Sequence, residues 1–403
     1  MQQTSTQAAA VFDRIDAAAM LEQVRKWCAI NTGTANLDGL AQQAGALAAT
    51  FSGLPGEVSL LDPAEVTAIN AGGSEFAKPH GQHLVLRVRP GANRRILLTG
   101  HMDTVFPVDH PFQQLTWLED NVLGGPGVAD MKGGIAVMLH ALMAFEASGN
   151  ADSLGYDLMI NSDEETGSLA SSALIAELAQ GKIAALTYEP AALPDGTLAH
   201  ARGGTGNYSI TLTGQSAHAG RNPHEGRNAI VAAADLILRI KALESDDLTV
   251  NPAKLEGGAA NNVVPDHAVL RFNIRPKSTE AMESFDELLD ALLRDIEAQH
   301  DVALHRHGGV TRPPKPVDDN AQRLFDLVKS CGEELGQHIA WKSTGGVCDG
   351  NNIAACGVPV VDTMGVRGGA IHSPQEFLIV PSLAERAALS ALVLTRIAAG
   401  DMN

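Results

Sequence analysis

Hydrophobic positions in the first third of the chain switch between two periods. Residues 13–30 place Ile15, Met20, Leu21, Val24 and Trp27 at the spacing of an amphipathic helix. Residues 83–88 and 96–100 read as strands, the second a short buried run that ends in glycine. Residues 135–145 are apolar nearly all round, which predicts a buried helix starting just after Gly133-Gly134. Strands at 156–161 and 183–188 follow, with a helix at about 170–180 between them. This alternation predicts an α/β fold built on a doubly wound, mostly parallel sheet with helices on both faces.

The texture changes near Arg202-Gly203-Gly204-Thr205-Gly206. A strand at 208–213, a helix over 228–243 and strands at 248–250 and 268–275 come next. A long helix capped by Ser278 then sets Met282, Phe285, Leu288, Leu289, Leu292, Leu293 and Ile296 on one stripe, and a strand at 302–304 closes the set. The order β-α-β-β-α-β is the ferredoxin-like arrangement, and strands with one polar face imply helices on one side only. After the linker Thr311-Arg312-Pro313-Pro314-Lys315-Pro316 the earlier style returns, with a helix over 319–335, a strand at 358–362 and a helix over 382–398. The pattern predicts one discontinuous α/β domain, 1–202 and 313–403, interrupted by an inserted α+β domain, 203–312.

Composition narrows the function classes. At 403 residues the chain has room for two or three domains of about 150 residues. Its 45% apolar and 19% charged residues exclude a disordered chain, and no run of about 18 apolar residues suggests a membrane span. A net charge of −18 repels phosphate backbones, so neither nucleic acid nor membrane is an expected partner. Met1-Gln2-Gln3-Thr4-Ser5-Thr6-Gln7 has neither the basic nor the apolar part of a signal peptide, which makes the cytoplasm the expected location. Cys28, Cys331, Cys348 and Cys356 form no CxxC pair and read as reduced, mostly buried thiols. Cys348 has no base beside it in sequence, so it reads as a packed thiol and not a nucleophile.

Histidines and carboxylates stand just after the predicted strands. His101-Met102-Asp103 follows one strand, and Asp163-Glu164-Glu165 and Glu189 follow two others. Asp130 lies in the glycine-rich loop 124–134, and His372 follows Gly368-Gly369-Ala370-Ile371. Taken singly, each has an ordinary structural explanation as a helix cap, a solvated acid or a core histidine. Together they gather where open α/β sheets bind ligands, at the carboxyl ends of strands. Acids that would otherwise repel one another point to one divalent metal ion or a pair of them.

The segments Gly100-His101-Met102-Asp103-Thr104-Val105, Gly127-Val128-Ala129-Asp130-Met131-Lys132-Gly133-Gly134 and Asp163-Glu164-Glu165-Thr166-Gly167-Ser168 resemble a family of dizinc metallopeptidases. That family includes glutamate carboxypeptidase, acetylornithine deacetylase, succinyl-diaminopimelate desuccinylase and the aminoacylases. Gly214–Gly220, Gly257–Pro265 and His372-Ser373-Pro374-Gln375-Glu376 match in order, so the resemblance spans roughly residues 20–398 and is nearest the glutamate carboxypeptidase branch. It implies two zinc ions per subunit, with cobalt or manganese able to substitute. Asp130 would bridge them, His101 and Glu189 would complete one site, and Glu165 and His372 the other. Asp103 would orient His101, as metal-bound imidazoles generally require. Glu164 would be the general base, diverging from Glu165 because neighbours on an extended segment point different ways.

The resemblance further implies a homodimer formed through the inserted domain, whose one-sided sheet leaves a face or an edge needing cover. His218 would then stabilise the oxyanion in the partner's site, and Asn262 and Arg275 would hold the substrate's terminal carboxylate. The expected activity is metal-dependent hydrolysis of an amide bond in a small peptide or N-acyl amino acid. Alternatives are an N-acyl amino acid deacylase of the acetylornithine deacetylase type, or a binding protein that keeps the fold without the chemistry. Near Trp341-Lys342-Ser343-Thr344 the basic residue of the glutamate-specific branch is absent or displaced to Lys342, and Arg367 is another candidate for its place.

Overall fold

The computed structural model describes residues 15–402. The amino-terminal heptapeptide, whose lack of a leader pattern points to the cytoplasm, lies outside the described residues. The helix expected over 13–30 runs Ala17–Cys28 and buries Met20, Val24 and Trp27. Asp16 caps it, its carboxylate accepting the Ala19 N–H at 3.0 Å.

Six strands make the central sheet, in the order Glu57–Leu61, His83–Val88, Gly155–Asn161, Arg95–His101, Ala184–Thr187, Val360–Val361. The last four are parallel to one another, whereas His83–Val88 runs against both of its neighbours. Alternate residues serve opposite layers. Leu84, Leu86, Ile96, Leu98, Leu158 and Ile160 join a core with the helices Gly134–Glu146 and Ser382–Ala399. Val85, Leu97, Met159 and Ala185 face Ile175 and Ile353, from the helices Ser172–Ala179 and Asp349–Ala355. Covering both faces is what makes these strands nearly continuous apolar runs.

The segment Val128–Glu146 has the length and apolar content of a membrane span, contrary to the sequence expectation, and it is almost wholly buried in this core. A helix enclosed by protein on all sides acquires the same composition as one enclosed by lipid.

Between 205 and 312 a four-stranded antiparallel sheet follows the order Leu248–Gly257, His267–Pro276, Thr205–Thr213, Ala303–Arg312. The helices Ala229–Lys241 and Thr279–His300 pack on one face around Tyr208, Leu236, Phe272 and Phe285. Tyr208 and Phe272 stack with ring centroids 4.8 Å apart. Ser278 caps the second helix, accepting the Ala281 N–H at 3.2 Å.

Two strands are longer than expected. Leu248–Gly257 continues past Pro252 because an edge strand tolerates proline beside a register shift. Ala303–Arg312 continues through His305, His307 and Gly308, and Arg312 pairs with Thr205, so the first two residues of the supposed linker are strand. The opposite face of this sheet is also less bare than expected. The hairpin formed by Thr67–Ile69 and Glu75–Ala77 lies against it, with Arg271 Nη2 donating to the Ile69 carbonyl at 2.8 Å and His305 3.0 Å from Glu75.

Candidate metal centre

The strand Arg95–His101 delivers its last residue into a cluster of donors that is buried except at His372. Asp130 divides its carboxylate between two imidazoles, with Oδ1 3.0 Å from His101 Nε2 and Oδ2 3.1 Å from His372 Nε2. Glu189 Oε1 lies 3.7 Å from His101 Nε2, and Glu165 Oε2 lies 3.1 Å from His372 Nε2. Among the described residues, donor atoms of His101, Asp130 and Glu165 all fall within 4.8 Å of one another, and so do those of His101, Glu164 and Glu189. The five expected ligands are therefore together, with Glu164 as close to the cluster as they are. Two imidazoles and buried carboxylates, one of them shared, are the donor types that divalent ions of the zinc class take.

The backbone makes this placement possible at two glycines. Gly127 holds φ +73 at the entry to the loop, and a Cβ on Gly134 would stand 2.0 Å from the Tyr188 carbonyl oxygen. His372 arrives from a small sheet that the sequence did not signal, on the turn joining Gly368–Gly369 to Phe377–Ile379. Its φ of 60° is unusual for a residue with a Cβ.

Asp103 is fully buried and ties the histidine to the acidic loop. His101 Nδ1 is 3.0 Å from the Asp103 carbonyl and 3.4 Å from its carboxylate. That carboxylate accepts the Glu164 and Glu165 N–H groups, each at 3.2 Å, and the Thr34 hydroxyl at 2.7 Å. Glu164 and Glu165 sit on a 3-10 turn, Glu164–Thr166, not on an extended segment. Three residues per turn still swings their side chains apart by roughly 120°.

Charge and burial compete at every member. Burial pushes the Glu164 carboxyl well above the usual carboxylate range, against the opposing pull of the Arg312 guanidinium. Burial and the Asp130 charge together raise Glu165 to about 7. Hydrogen bonds to Asp130 and Glu165 raise His372 to about 11. For His101, burial favours the neutral ring, but Glu189, Asp103 and Asp130 outweigh it and hold the pKa well above the ordinary imidazole value.

A cavity of about 620 Å³ opens on Asp130, Glu164, Glu189 and His372, and Arg275 stands in its wall. His218 and Asn262 do not line it. They lie, both exposed, beside the short antiparallel pairing of Ala217–His218 with Val263–Val264, where the Ala219 N–H donates to the Asn262 carbonyl at 2.9 Å. Neither candidate for the displaced basic residue faces the cavity. Lys342 is exposed, and Arg367 pairs with Glu385 at 3.2 Å beside a separate cavity of about 370 Å³. All four cysteines are free; Cys348 lines the main cavity, and burial drives its thiol pKa far up, as a packed thiol requires.

Three neighbours of the cluster were given no role by the sequence. Arg312, hidden in the supposed linker, sets Nη2 against the Glu164 carboxylate and against Ser168 Oγ at 2.9 Å. Arg202 forms a two-point pair with Asp362, at 2.7 and 3.0 Å, in the cavity wall. Glu376 holds the loop that bears Asp130, although burial and the Asp130 charge raise its carboxyl to about 8. Arg312 appears only when the strand at 302–304 is carried on to residue 312, a continuation that no apolar alternation marks, and no spacing links Arg202 or Glu376 to its partner.

Comparison with known proteins agrees with this geometry. The family model described as peptidase family M20/M25/M40 matches residues 97–396. Carboxypeptidase G2 of Pseudomonas sp. (strain RS-16) is 28% identical over 391 residues, covering 95% of this chain and 90% of that protein. Succinyl-diaminopimelate desuccinylase of Psychrobacter sp. (strain PRwf-1) is 27% identical over 334 residues, covering 76% of this chain and 80% of that protein. The crystal structure of the Bacillus subtilis YXEP protein, a dinuclear metal binding peptidase, superposes with a TM-score of 0.66 at 15% identity, covering 94% of this chain and 98% of that one. With matched residues running from the strand that carries His101 to the last helix, the chain belongs to peptidase family M20/M25/M40.

Proposed function

We propose that this protein hydrolyses the amide bond next to a free terminal carboxylate, in a small peptide or an N-acyl amino acid, with two divalent ions bound at the Asp130 cluster. One observation carries the reading: the Asp130 carboxylate is shared between His101 and His372, with Glu189 and Glu165 beside them, at a cavity walled by Glu164 and Arg275. His101, Asp130 and Glu189 would hold one ion, and Asp130, Glu165 and His372 the other. Zinc suits these nitrogen and oxygen donors, and cobalt or manganese can replace it. Such ions supply Lewis acidity at the substrate carbonyl and a water of lowered pKa.

The chain's own residues do the rest. Glu164 takes the proton from the attacking water and gives it to the departing amine nitrogen. Its raised pKa suits both transfers, because a weak carboxylic acid is the stronger base. Arg312 holds that carboxylate in one place, and Asp103 fixes His101. Among the described residues the Arg275 side chain has only Asn273 Oδ1 as a hydrogen-bond partner, at 3.0 Å, which supports its use on a substrate carboxylate, with Asn262 assisting.

The oxyanion needs one more donor. His218 and Asn262 stand away from their own cavity, and this supports delivery into the site of a second copy. The 203–312 unit would be the inserted dimerisation domain, with Val231 and Leu238 exposed on the helix Ala229–Lys241 as apolar surface for the contact. The acidic surface and free thiols support a cytoplasmic location.

Similarity to carboxypeptidase G2 supports a carboxypeptidase, and similarity to the desuccinylase supports a deacylase on the same chemistry. The deciding assay presents the zinc-loaded protein with dipeptides and N-acyl amino acids, varying each side of the amide in turn. Turnover should require the free carboxylate and should vanish in Glu164→Gln. Equal turnover of carboxyl-amidated substrates would refute the role given to Arg275.

A further inference from the structure

Glu376 is 1% exposed and does not line the cavity, yet its side chain is hydrogen-bonded to the Asp130 loop. Its Oε1 accepts the N–H groups of Ala129 at 3.0 Å and Asp130 at 3.1 Å, and its Oε2 accepts the Gly127 N–H at 3.1 Å. Its main-chain carbonyl accepts the Gly125 N–H at 3.2 Å. Four hydrogen bonds therefore grip the loop between residues 125 and 130.

Burying a carboxylate costs several kcal/mol unless hydrogen bonds replace its water. Among the described residues no lysine, arginine or histidine forms an ion pair with Glu376, so the loop amides serve as that replacement. Solvent would satisfy the same amides at less expense if only the loop's own folding mattered. What the carboxylate adds is direction. One of its three side-chain contacts is the backbone of Asp130 itself, and Glu376 lies four residues beyond His372 on one turn. The strand Phe377–Ile379 leaving that turn pairs with Val122–Gly124, which leads into the Asp130 loop. The segment that presents one imidazole to Asp130 thus also fixes the main chain from which the Asp130 carboxylate projects.

We propose that Glu376 is a positioning residue of the metal centre: its grip on the Gly127, Ala129 and Asp130 amides sets how the Asp130 carboxylate divides between His101 and His372, and with it the affinity for divalent ions. The inference rests on the metal-binding reading of the cluster. Glu376→Gln preserves size while turning an acceptor oxygen into an NH₂ group that faces a backbone N–H, so at least one of the three amides loses its partner. Groups that orient ligands from behind typically change metal affinity 10–100-fold when replaced.

The experiment uses the full chain stripped of metal and then titrated with Co²⁺ and Zn²⁺ against a chromophoric chelator. Cobalt absorption is followed in parallel, and the melting temperature of each metal-free protein is recorded. Glu376→Gln should bind at least one equivalent 10–100-fold more weakly and should show an altered cobalt spectrum. Its turnover should recover toward wild type as metal is added, with KM little changed. Affinities and spectra equal to wild type, whether or not the metal-free variant melts earlier, would overturn the inference, because they mark a purely structural clamp. Glu376→Asp, too short to reach all three amides, should fall between and decides the matter if the glutamine variant does not fold. A wild-type chain that takes up no divalent ion would instead overturn the underlying reading, a result distinct from equal affinities.

Discussion

Replacing Arg312 with methionine removes a guanidinium that is 3% exposed and makes its polar contacts through Nη2. Its Nη2 contacts the Glu164 carboxylate, the Glu164 carbonyl at 3.1 Å, Ser168 Oγ at 2.9 Å and Asp349 Oδ1 at 3.3 Å. Breaking a buried pair by deleting one partner costs about 3–5 kcal/mol, because the other charge stays behind uncompensated. Asp349 keeps the Asn161 amide at 2.7 Å and the Ser168 hydroxyl, so most of the cost falls on Glu164. That places the expected loss of stability near the lower end, about 3 kcal/mol.

The same deletion acts on the base. Arg312 is the leading influence that pulls the Glu164 pKa down against burial, so removing it lets burial raise that pKa further. A general base works only when deprotonated, and the acid limb of the kcat profile must move to higher pH. Urea denaturation of the metal-loaded protein measures the first effect, and pH–rate profiles of wild type and Arg312→Met measure the second. Arg312→Lys keeps the charge but not the fork and should lie between the two. An acid limb that stays fixed or moves to lower pH would refute the assignment of Arg312 as the partner of Glu164.

Three further outcomes follow from the same geometry. Glu164→Gln should keep its metal and lose nearly all turnover, whereas Glu165→Gln should lose metal affinity first; elemental analysis beside kinetics separates them, and the reverse pattern would mean the two roles are exchanged. Burial raises the Asp362 pKa, but Arg202 and Lys315 outweigh it and hold the carboxyl below its unfolded value, so its stabilisation is full above about pH 4 and fades as pH falls further. Asp362→Asn, which strands two buried cations, should therefore cost about 3–5 kcal/mol at pH 7 and markedly less at pH 3 in denaturant titrations, and a pH-independent loss would contradict the ion-pair account. Mixing inactive His218→Ala with inactive Glu164→Gln through refolding should restore part of the activity if His218 serves the partner's site, and verified mixed dimers without rescue would exclude that route.

Much of the cluster was legible because several of its donors stand at the ends of buried strands. The strand ending at His101, the one preceding Glu164 and the one leading to Glu189 all announce themselves as apolar runs closed by an acid or a histidine. Asp130 was legible through glycine, since a Cβ at Gly134 would stand 2.0 Å from the Tyr188 carbonyl oxygen and the loop admits no side chain there. The supporting residues were hidden for the opposite reason. Arg312 ends a strand whose outer face carries His305, His307 and Thr311, so no hydrophobic alternation marks it. Glu376 acts on backbone amides more than two hundred residues away, and no spacing rule connects such positions. The two-residue strand Gly368–Gly369 has no side chains from which to predict it, yet it sets the turn that carries His372.

Metal content measured on the purified full-length protein bears most directly on the central claim. After dialysis against trace zinc, elemental analysis should find close to two divalent ions per chain, and removing them with a chelator should abolish amide hydrolysis, with recovery on adding them back. Full hydrolytic activity in protein that retains no metal would contradict the account.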